Sequence, residues 1–464
     1  MTTVPAPHSE NARQWIHIGS GAFALLLRVL SGWQAAAMAA MALVFNLVLL
    51  PRVGGRQLYR PIDHERGFPL GILLYPLSVL LLMLAFPARL DMAAAAWGIL
   101  AFGDGFATLV GRSSTEDTAN LFSARAAVWA APSGRLPWNP DKSVAGTLAF
   151  LICGSVAGVA LAWWVRPSIT PVPPLTFTIA APLVAALLAA LVETVPIRLD
   201  DNISVPATAG VVLWITSLMT AASAAGARGA VVAALPWAIG VNVVTSWVAC
   251  RAGTVSRSGA IAGAVVGAII YAGGGAGAWA MLMVTFLAAS VTSRFGLARK
   301  QQLGIAEERG GRRGAGNVMA NCGVAAVAAV AAVTTPYSWI ALAALVAALT
   351  AGGSDTVASE IGKAWGRSTF LVTTLERVKP GTPGAMSLEG TAAGLVAAFL
   401  LAAAGAAFGL VPTSAILIIV AAATAGALVE SALAATLEGP GILNNDMLNF
   451  INTAVAAAVV LALA

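Results

Sequence analysis

Apolar runs of roughly 18 to 22 residues recur along the whole chain, each long enough to cross a ~30 Å hydrocarbon core as a helix. Trp33 to Leu50, Ala145 to Val165, Val205 to Thr220, Ala392 to Leu410 and Met447 to Ala464 are examples. Only 10% of the 464 residues are charged, against about 25% in an average soluble chain. So few charges cannot cover the surface of a water-soluble globule, and the mean hydropathy of +0.85 agrees. A transmembrane β-barrel would alternate in ten-residue segments instead. The pattern therefore predicts an all-α polytopic membrane protein of about 15 transmembrane helices. They lie near 15–31, 34–51, 69–86, 92–110, 144–165, 175–195, 204–222, 229–249, 258–272, 276–293, 317–334, 338–361, 391–410, 413–436 and 447–463.

Basic residues orient these spans, because loops rich in Lys and Arg stay cytoplasmic. With the N-terminus inside, all of the 26 except Arg28, Arg89, Arg166 and Arg228 fall on the cytoplasmic side. The net charge of +6 then reads as membrane topology beside anionic lipid, with no nucleic-acid partner required. The long inside loops, Arg112 to Lys142, Arg294 to Asn317 and Gly362 to Glu389, gather the polar residues. Connectors of that length usually carry function, so the chemistry is expected on the cytoplasmic face of an integral membrane protein, such as one of a bacterial inner membrane.

Several chemistries are disfavoured. Cys153, Cys250 and Cys322 lack metal-like or disulfide spacing and read as small core residues. Histidine occurs only as His8, His17 and His64, so a histidine-based centre is not expected, and His64 in its charged loop reads as solvated. No G-x-x-x-x-G-K-[ST] loop and no protein-kinase motif set is present. The polar stretch Met1 to Gln14 lacks the basic flank and short apolar core of a signal peptide, so the first helix is expected to be retained.

The two halves repeat one another. Asp104-x-x-Ala107-x-x-x-Gly111 matches Asp355-x-x-Ala358-x-x-x-Gly362. Ser143-x-x-Gly146-Thr147 matches Ser387-x-x-Gly390-Thr391. Glu193 then precedes Asp200-Asp201-Asn202, as Glu430 precedes Asn444-Asn445-Asp446. Two related membrane domains are expected, 1–225 and 226–464, joined near Ser223 to Arg228. Each motif alone has a structural reading as a helix cap or a close packing contact. Together they place carboxylates at span ends, where ionisable groups are costly and usually functional. Glu360, five residues beyond Asp355, is expected to face the same cavity. Mg²⁺ takes carboxylates together with phosphate oxygens, and phosphoryl transfer needs positive charge near the phosphates. Lys142, Lys379, Arg309, Arg312 and Arg313 offer that charge, and Gly310, Gly311 and Gly314 offer backbone N–H groups.

The first-half residues carry a family resemblance. Phe102-Gly-Asp104-Gly-Phe-Ala107-Thr, Asp141-Lys142-Ser143-Val-Ala-Gly146-Thr147 and Glu193 through Asp200-Asp201-Asn202-Ile-Ser-Val-Pro206 resemble the phytol kinase and dolichol kinase family. That family belongs with the phosphatidate cytidylyltransferases and uses CTP in its best-known members. The second half is similar to the phytyl-phosphate kinase family. The likeness rests on Ser258-Gly-Ala-Ile-Ala-Gly263, Gly311 through Asn317 to Asn321, Ser354-Asp355 through Glu360 to Gly362, and Lys379 through Gly384 and Ser387 to Thr391.

The resemblance implies a bifunctional kinase. It would convert phytol, geranylgeraniol or farnesol to the monophosphate and then the diphosphate, with Mg²⁺ as cofactor and CTP as phosphoryl donor. Asp104, Lys142, Asp200, Asp201, Asp355, Glu360, Lys379 and Asp446 are the implied catalytic residues, with Asp104, Asp201, Asp355 and Asp446 on the metal. Ser143, Gly146, Thr147, Glu193, Asn202, Arg312, Arg313, Asn317, Asn321, Ser387, Gly390, Thr391, Asn445 and Asn449 would bind substrate or nucleotide. The implied partners are the isoprenoid alcohol, its monophosphate and the bilayer. A CDP-lipid cytidylyltransferase-like enzyme and a two-repeat transporter are the alternatives.

Overall fold

The computed structural model describes residues 10–53, 59, 63, 68–111, 134–136, 139–195, 199–302, 304 and 312–464. His8, His64, Arg309, Gly310 and Gly311 lie outside the described residues. The chain forms two compact units, Met1–Leu218 and Met219–Ala464.

In the first unit, α1 (Glu10–Ser20) runs into a 3₁₀ stretch (Gly21–Arg28), and α2 is Gly32–Val44. They are followed by α3 (Leu70–Ala85), α4 (Leu90–Gly111), α5 (Val144–Val165), α6 (Leu175–Thr194) and α7 (Asp201–Leu218). The short strands β1 (Arg135–Leu136) and β2 (Asn139–Ser143) pair antiparallel just before α5. Helix α4 is the central element. Its Ala93 to Ala96 run is fully buried, because side chains this small let helices close in from every side.

The second unit holds α8 (Ala221–Arg251), α9 (Arg257–Arg294), α10 (Leu297–Gln302), α11 (Ala315–Thr334) and α12 (Ser338–Trp365). Strands β3 (Thr369–Leu371) and β4 (Ala385–Ser387) pair antiparallel and lead into α13 (Leu388–Ala407), α14 (Ile416–Leu433) and α15 (Asn445–Leu463). Here α12 is central, with Leu345 to Leu349 fully buried.

The protein is thus a predominantly helical integral membrane protein, as the apolar runs require. Among the described residues, eleven helices are long and apolar enough to cross a membrane, against the fifteen spans expected. Two expected spans, 258–272 and 276–293, are joined in α9, which breaks at Gly275 (φ 75°, ψ −172°). Three others correspond to α1, α3 and α7, which are short or carry polar residues. Ser223 to Arg228, expected as a joint, is helical: Thr220 caps α8 by accepting from the Ser223 N–H (3.1 Å), and the small residues that follow continue the helix. The cysteines are unpaired and half-buried, and Cys322 packs against the core of the second unit.

The repeated sequence motifs build the same kind of helix crossing in each unit. Ser143 caps α5 by accepting from the Gly146 N–H (3.0 Å), and Ser387 caps α13 through the Gly390 N–H (3.0 Å). A methyl group on Gly146 would come within 2.9 Å of the Ala107 carbonyl and 3.4 Å of Gly111 Cα. One on Gly390 would come within 2.5 Å of the Ala358 carbonyl and 3.1 Å of Gly362 Cα. The glycines therefore bring backbone against backbone, α4 to α5 and α12 to α13. Each crossing fixes the helix that bears the carboxylate, Asp104 or Asp355.

Candidate functional site

Asp104 is buried at the end of a widened π-helical turn of α4, Ile99–Asp104. Such turns often occur at functional sites. Glu193 comes from the last turn of α6 and Asp201 from the first turn of α7. Ligand oxygens of Asp104, Glu193 and Asp201 lie within 4.8 Å of one another. Lys142, held on β2 beside the capping Ser143, donates to Glu193 Oε1 (2.7 Å) and Asp201 Oδ2 (2.8 Å). Burial alone would push the Lys142 pKa down, but the two carboxylates outweigh it and raise it above the ordinary 10.5. Lysine 142 is therefore a fixed positive charge among three carboxylates.

The cluster opens on a polar cavity of about 710 Å³, including its mouth, lined by Arg135, Asp141, Lys142, Ser143, Thr147 and Glu193 among others. Thr147 Oγ1 donates to the Ser143 carbonyl (3.1 Å). Asp200 Oδ1 accepts from the Asn202 N–H (3.0 Å) and Nδ2 (2.8 Å), which caps α7. Asn202 itself is buried. Two groups here escape sequence reasoning. His17 Nε2 lies 3.7 Å from Asp104 Oδ2 and 3.3 Å from the Leu100 carbonyl. Its ring meets Tyr75 edge-on at 4.4 Å, and the Tyr75 hydroxyl accepts from Trp97 Nε1 (2.7 Å). Arg135 joins the cavity through the β-hairpin.

In the second unit a largely apolar cavity of about 830 Å³, counted with its opening, lies among α8, α9, α11 and α12. Arg313, Asn317 and Asn321, spaced by four, line it as one face of α11 and its lead-in. Leu282, Met283 and Phe286 supply apolar wall, while Gly352, Gly353 and Thr356 line it from the α12 turn that bears Asp355. Asn321 Oδ1 is buried with no hydrogen-bond partner.

Other expected residues stand apart from this cavity. Glu360 is buried in an ion pair with Lys300, a fully buried lysine on α10 that also donates to the Ser293 carbonyl (2.8 Å). Lys363 is 3.7 Å from the other Glu360 oxygen. Five helical residues turn about 140° beyond a full revolution, so Glu360 and Asp355 face different neighbours. Lys379 sits in an exposed turn, where its carbonyl accepts from Thr382 Oγ1 (2.8 Å). Arg312 and Asn445 are exposed, Thr391 is half-buried and Asn449 is buried. The Asp446 carboxylate lies against Gly316 at the start of α11.

Comparison with known proteins identifies the family. The profile described as "Integral membrane protein DUF92" matches residues 240–457. An uncharacterized membrane protein of Synechocystis sp. is 40% identical over 198 residues, 42% of this chain and 77% of the relative. The chain belongs to the DUF92 family of integral membrane proteins. Also similar to this DUF92 chain is Protein VTE6, chloroplastic, of Arabidopsis thaliana: 34% identical over 212 residues, 44% of this chain and 64% of that protein. Protein PGR of the same plant is 30% identical over 226 residues, 43% of this chain and 78% of PGR. No solved structure matches.

Proposed function

We propose that the protein is a bifunctional isoprenoid-alcohol kinase of the cytoplasmic membrane face. In this reading the first unit phosphorylates a long isoprenoid alcohol such as phytol or geranylgeraniol, and the second phosphorylates the resulting monophosphate. The observation that carries the reading is the Asp104, Glu193 and Asp201 cluster, with Lys142 bonded to two of its carboxylates at the edge of a polar cavity. Its donor set fits Mg²⁺: the ligands are all oxygens, and Glu193 Oε2 is buried without a hydrogen-bond partner. Asp104, Glu193 and Asp201 would hold the ion, which when bound neutralises charge on the nucleotide phosphates.

The residues then divide the chemistry. Lys142 and Arg135 bind the triphosphate, and the isoprenoid lies along the apolar helices. The alcohol oxygen forms a bond to the γ-phosphorus, the bond from that phosphorus to the bridging oxygen breaks, and the nucleoside diphosphate leaves. The hydroxyl proton goes to the transferred phosphoryl group. In the second unit, Arg313, Asn317 and Asn321 would hold the monophosphate head, with the prenyl chain along Leu282 and Phe286. Such a cavity falls within the usual range of about 300–1,000 Å³ for ligand sites. The motif likeness to phytyl-phosphate kinases and the family match over 240–457 support that assignment. CTP is the proposed donor.

Membranes containing the protein, incubated with Mg²⁺, CTP and either phytol, geranylgeraniol or phytyl monophosphate, test the reading by mass spectrometry of the lipids. The expected result is mono- and diphosphates with the wild type. Asp104→Asn should abolish alcohol phosphorylation while leaving that of the monophosphate intact. Absence of product with CTP, UTP and ATP alike, or full first-step activity in the variant, would overturn it.

A further inference from the structure

Helix α1 divides its faces sharply. Trp15 and Ile16 are more than half exposed, while Ile18 is buried. The buried face is pressed onto the widened turn of α4 that ends at Asp104. A methyl group on Gly105 would run into Ile18. One on Gly21, just past α1, would come within 2.6 Å of Ala101 Cβ and 2.9 Å of the Phe102 ring. Only a missing side chain allows so close an approach. Arg13, one turn before His17, reaches toward α7 instead. Its Nη2 lies 3.1 Å from where a Cβ on Gly71 would stand, and Asp200 Oδ2 lies 3.8 Å from the same point. Asp200 caps α7, the helix that begins with Asp201. Helix α1 therefore meets both elements that bring Asp104 and Asp201 together.

His17 is the polar group at the centre of this contact, with only 11% of its side chain exposed. Its Nε2 lies 3.3 Å from the Leu100 carbonyl and 3.7 Å from Asp104 Oδ2. Leu100 and Asp104 belong to the same widened turn. A carbonyl oxygen can only accept, so Nε2 carries the proton. The ring is also held from behind. It meets Tyr75 edge-on at 4.4 Å, Trp97 Nε1 donates to the Tyr75 hydroxyl (2.7 Å), and Ser20 Oγ donates to the His17 carbonyl (2.7 Å). A π turn contains one residue more than a regular helix needs. Where that surplus sits decides which way Asp104 points, since each residue turns a helix by about 100°. A donor fixed on the Leu100 carbonyl keeps the surplus on the upstream side of Asp104.

We propose that His17 is a positioning residue of the first-unit site. Its Nε2–H holds the Leu100 carbonyl and stands beside the Asp104 carboxylate, so the widened turn keeps Asp104 within reach of Glu193 and Asp201. The contact stands on geometry alone, while its effect on turnover rests on the kinase reading. His17 acts through Asp104 and touches neither the alcohol nor the nucleotide, so its loss lowers kcat and leaves the KM for the alcohol unchanged.

Two measurements on the full-length protein test this. The first is solid-state NMR in lipid with ¹⁵N-labelled histidine, the His17 signals being those lost in His17→Gln. A proton on Nε2 that exchanges slowly with solvent is expected. An Nε2 without a proton, or one that exchanges freely, overturns the contact. The second is phytol phosphorylation in membranes. His17→Gln, whose amide nitrogen can reach the same carbonyl, should stay within about threefold of wild type, and His17→Leu, of similar bulk but without a donor, should lose about tenfold or more in kcat, as small misplacements of a reacting group do. Both variants should phosphorylate the monophosphate as wild type does. Equal rates for His17→Gln and His17→Leu, or a loss that falls on KM, overturn the positioning role. A wild type that makes no product with any nucleotide counts against the kinase reading instead, and the NMR signal then decides the His17 contact by itself.

Discussion

The glycine crossings allow a graded prediction. Replacing Gly390 with Ala drives a methyl to 2.5 Å from the Ala358 carbonyl, 2.9 Å from Ser387 Oγ and 3.1 Å from Gly362 Cα. Two of these three atoms are backbone and cannot swing aside, so the helices themselves must part. Overpacking of this kind costs about 1–3 kcal/mol, and the upper part of that range is expected here. In Gly146→Ala the corresponding approaches are 2.9, 3.1 and 3.4 Å, so a cost near the lower end is expected. Gly226 in α8 has nothing within 4 Å, and Ala there should stabilise by about 0.5–1 kcal/mol through helix propensity. At roughly 2–4 °C per kcal/mol for a unit of this size, Gly390→Ala should lose about 5–10 °C. Melting in detergent, followed by tryptophan fluorescence at one scan rate, measures the order. A cost for Gly146→Ala above that for Gly390→Ala, or no cost for either, would refute the reading of these motifs as close crossings. Parting α12 from α13 should also lower monophosphate phosphorylation, since it moves Asp355.

Lys142→Met should stop alcohol phosphorylation, with monophosphate phosphorylation unchanged in the same lipid assay. It should also destabilise the first unit by about 2–3 kcal/mol, less than a fully buried pair because the Lys142 side chain is 25% exposed. Lysine 142 titrates above its ordinary 10.5, so on the alkaline side its contribution fades as pH rises through the elevated value. Melting curves of wild type and Lys142→Met should therefore converge in strong alkali, and should also draw together toward acid, where Glu193 and Asp201 take up protons and no longer need the lysine. Lys300→Met should cost about 3–5 kcal/mol by stranding the Glu360 charge, and Lys300→Met with Glu360→Met should recover much of that in the same melting assay.

The helices were legible because lipid and helix interior ask the same thing of a sequence, a long apolar run. Every expected span falls on a helix, but the join at Gly275 was not readable, since a glycine in a glycine-rich run gives no sign of its φ. The motif pairs were visible as a repeat, and their packing role was one of the two readings open. The family resemblance implies Asp104 and Asp201 on a metal, with Lys142 and Glu193 in the same site. Their convergence depends on where α6 ends and α7 begins, which periodicity does not fix. Lys300 looked like one more cytoplasmic charge, because its partner Glu360 lies sixty positions away and a short helix must first fold back. His17 was discounted for want of other histidines, although its neighbour in space is a carboxylate from α4.

The widened turn at Ile99–Asp104 also has a meaning for chain length. A π turn is one residue more than a regular helix needs, absorbed without changing what lies on either side. Loss of one residue between Ile99 and Phe102 would leave a regular helix with Asp104 still facing Glu193 and Asp201. Loss of one residue elsewhere between Leu90 and Gly98 would swing the upstream face by about 100° relative to Asp104. This short stretch is thus where related chains can differ by a deletion and keep the carboxylate in register.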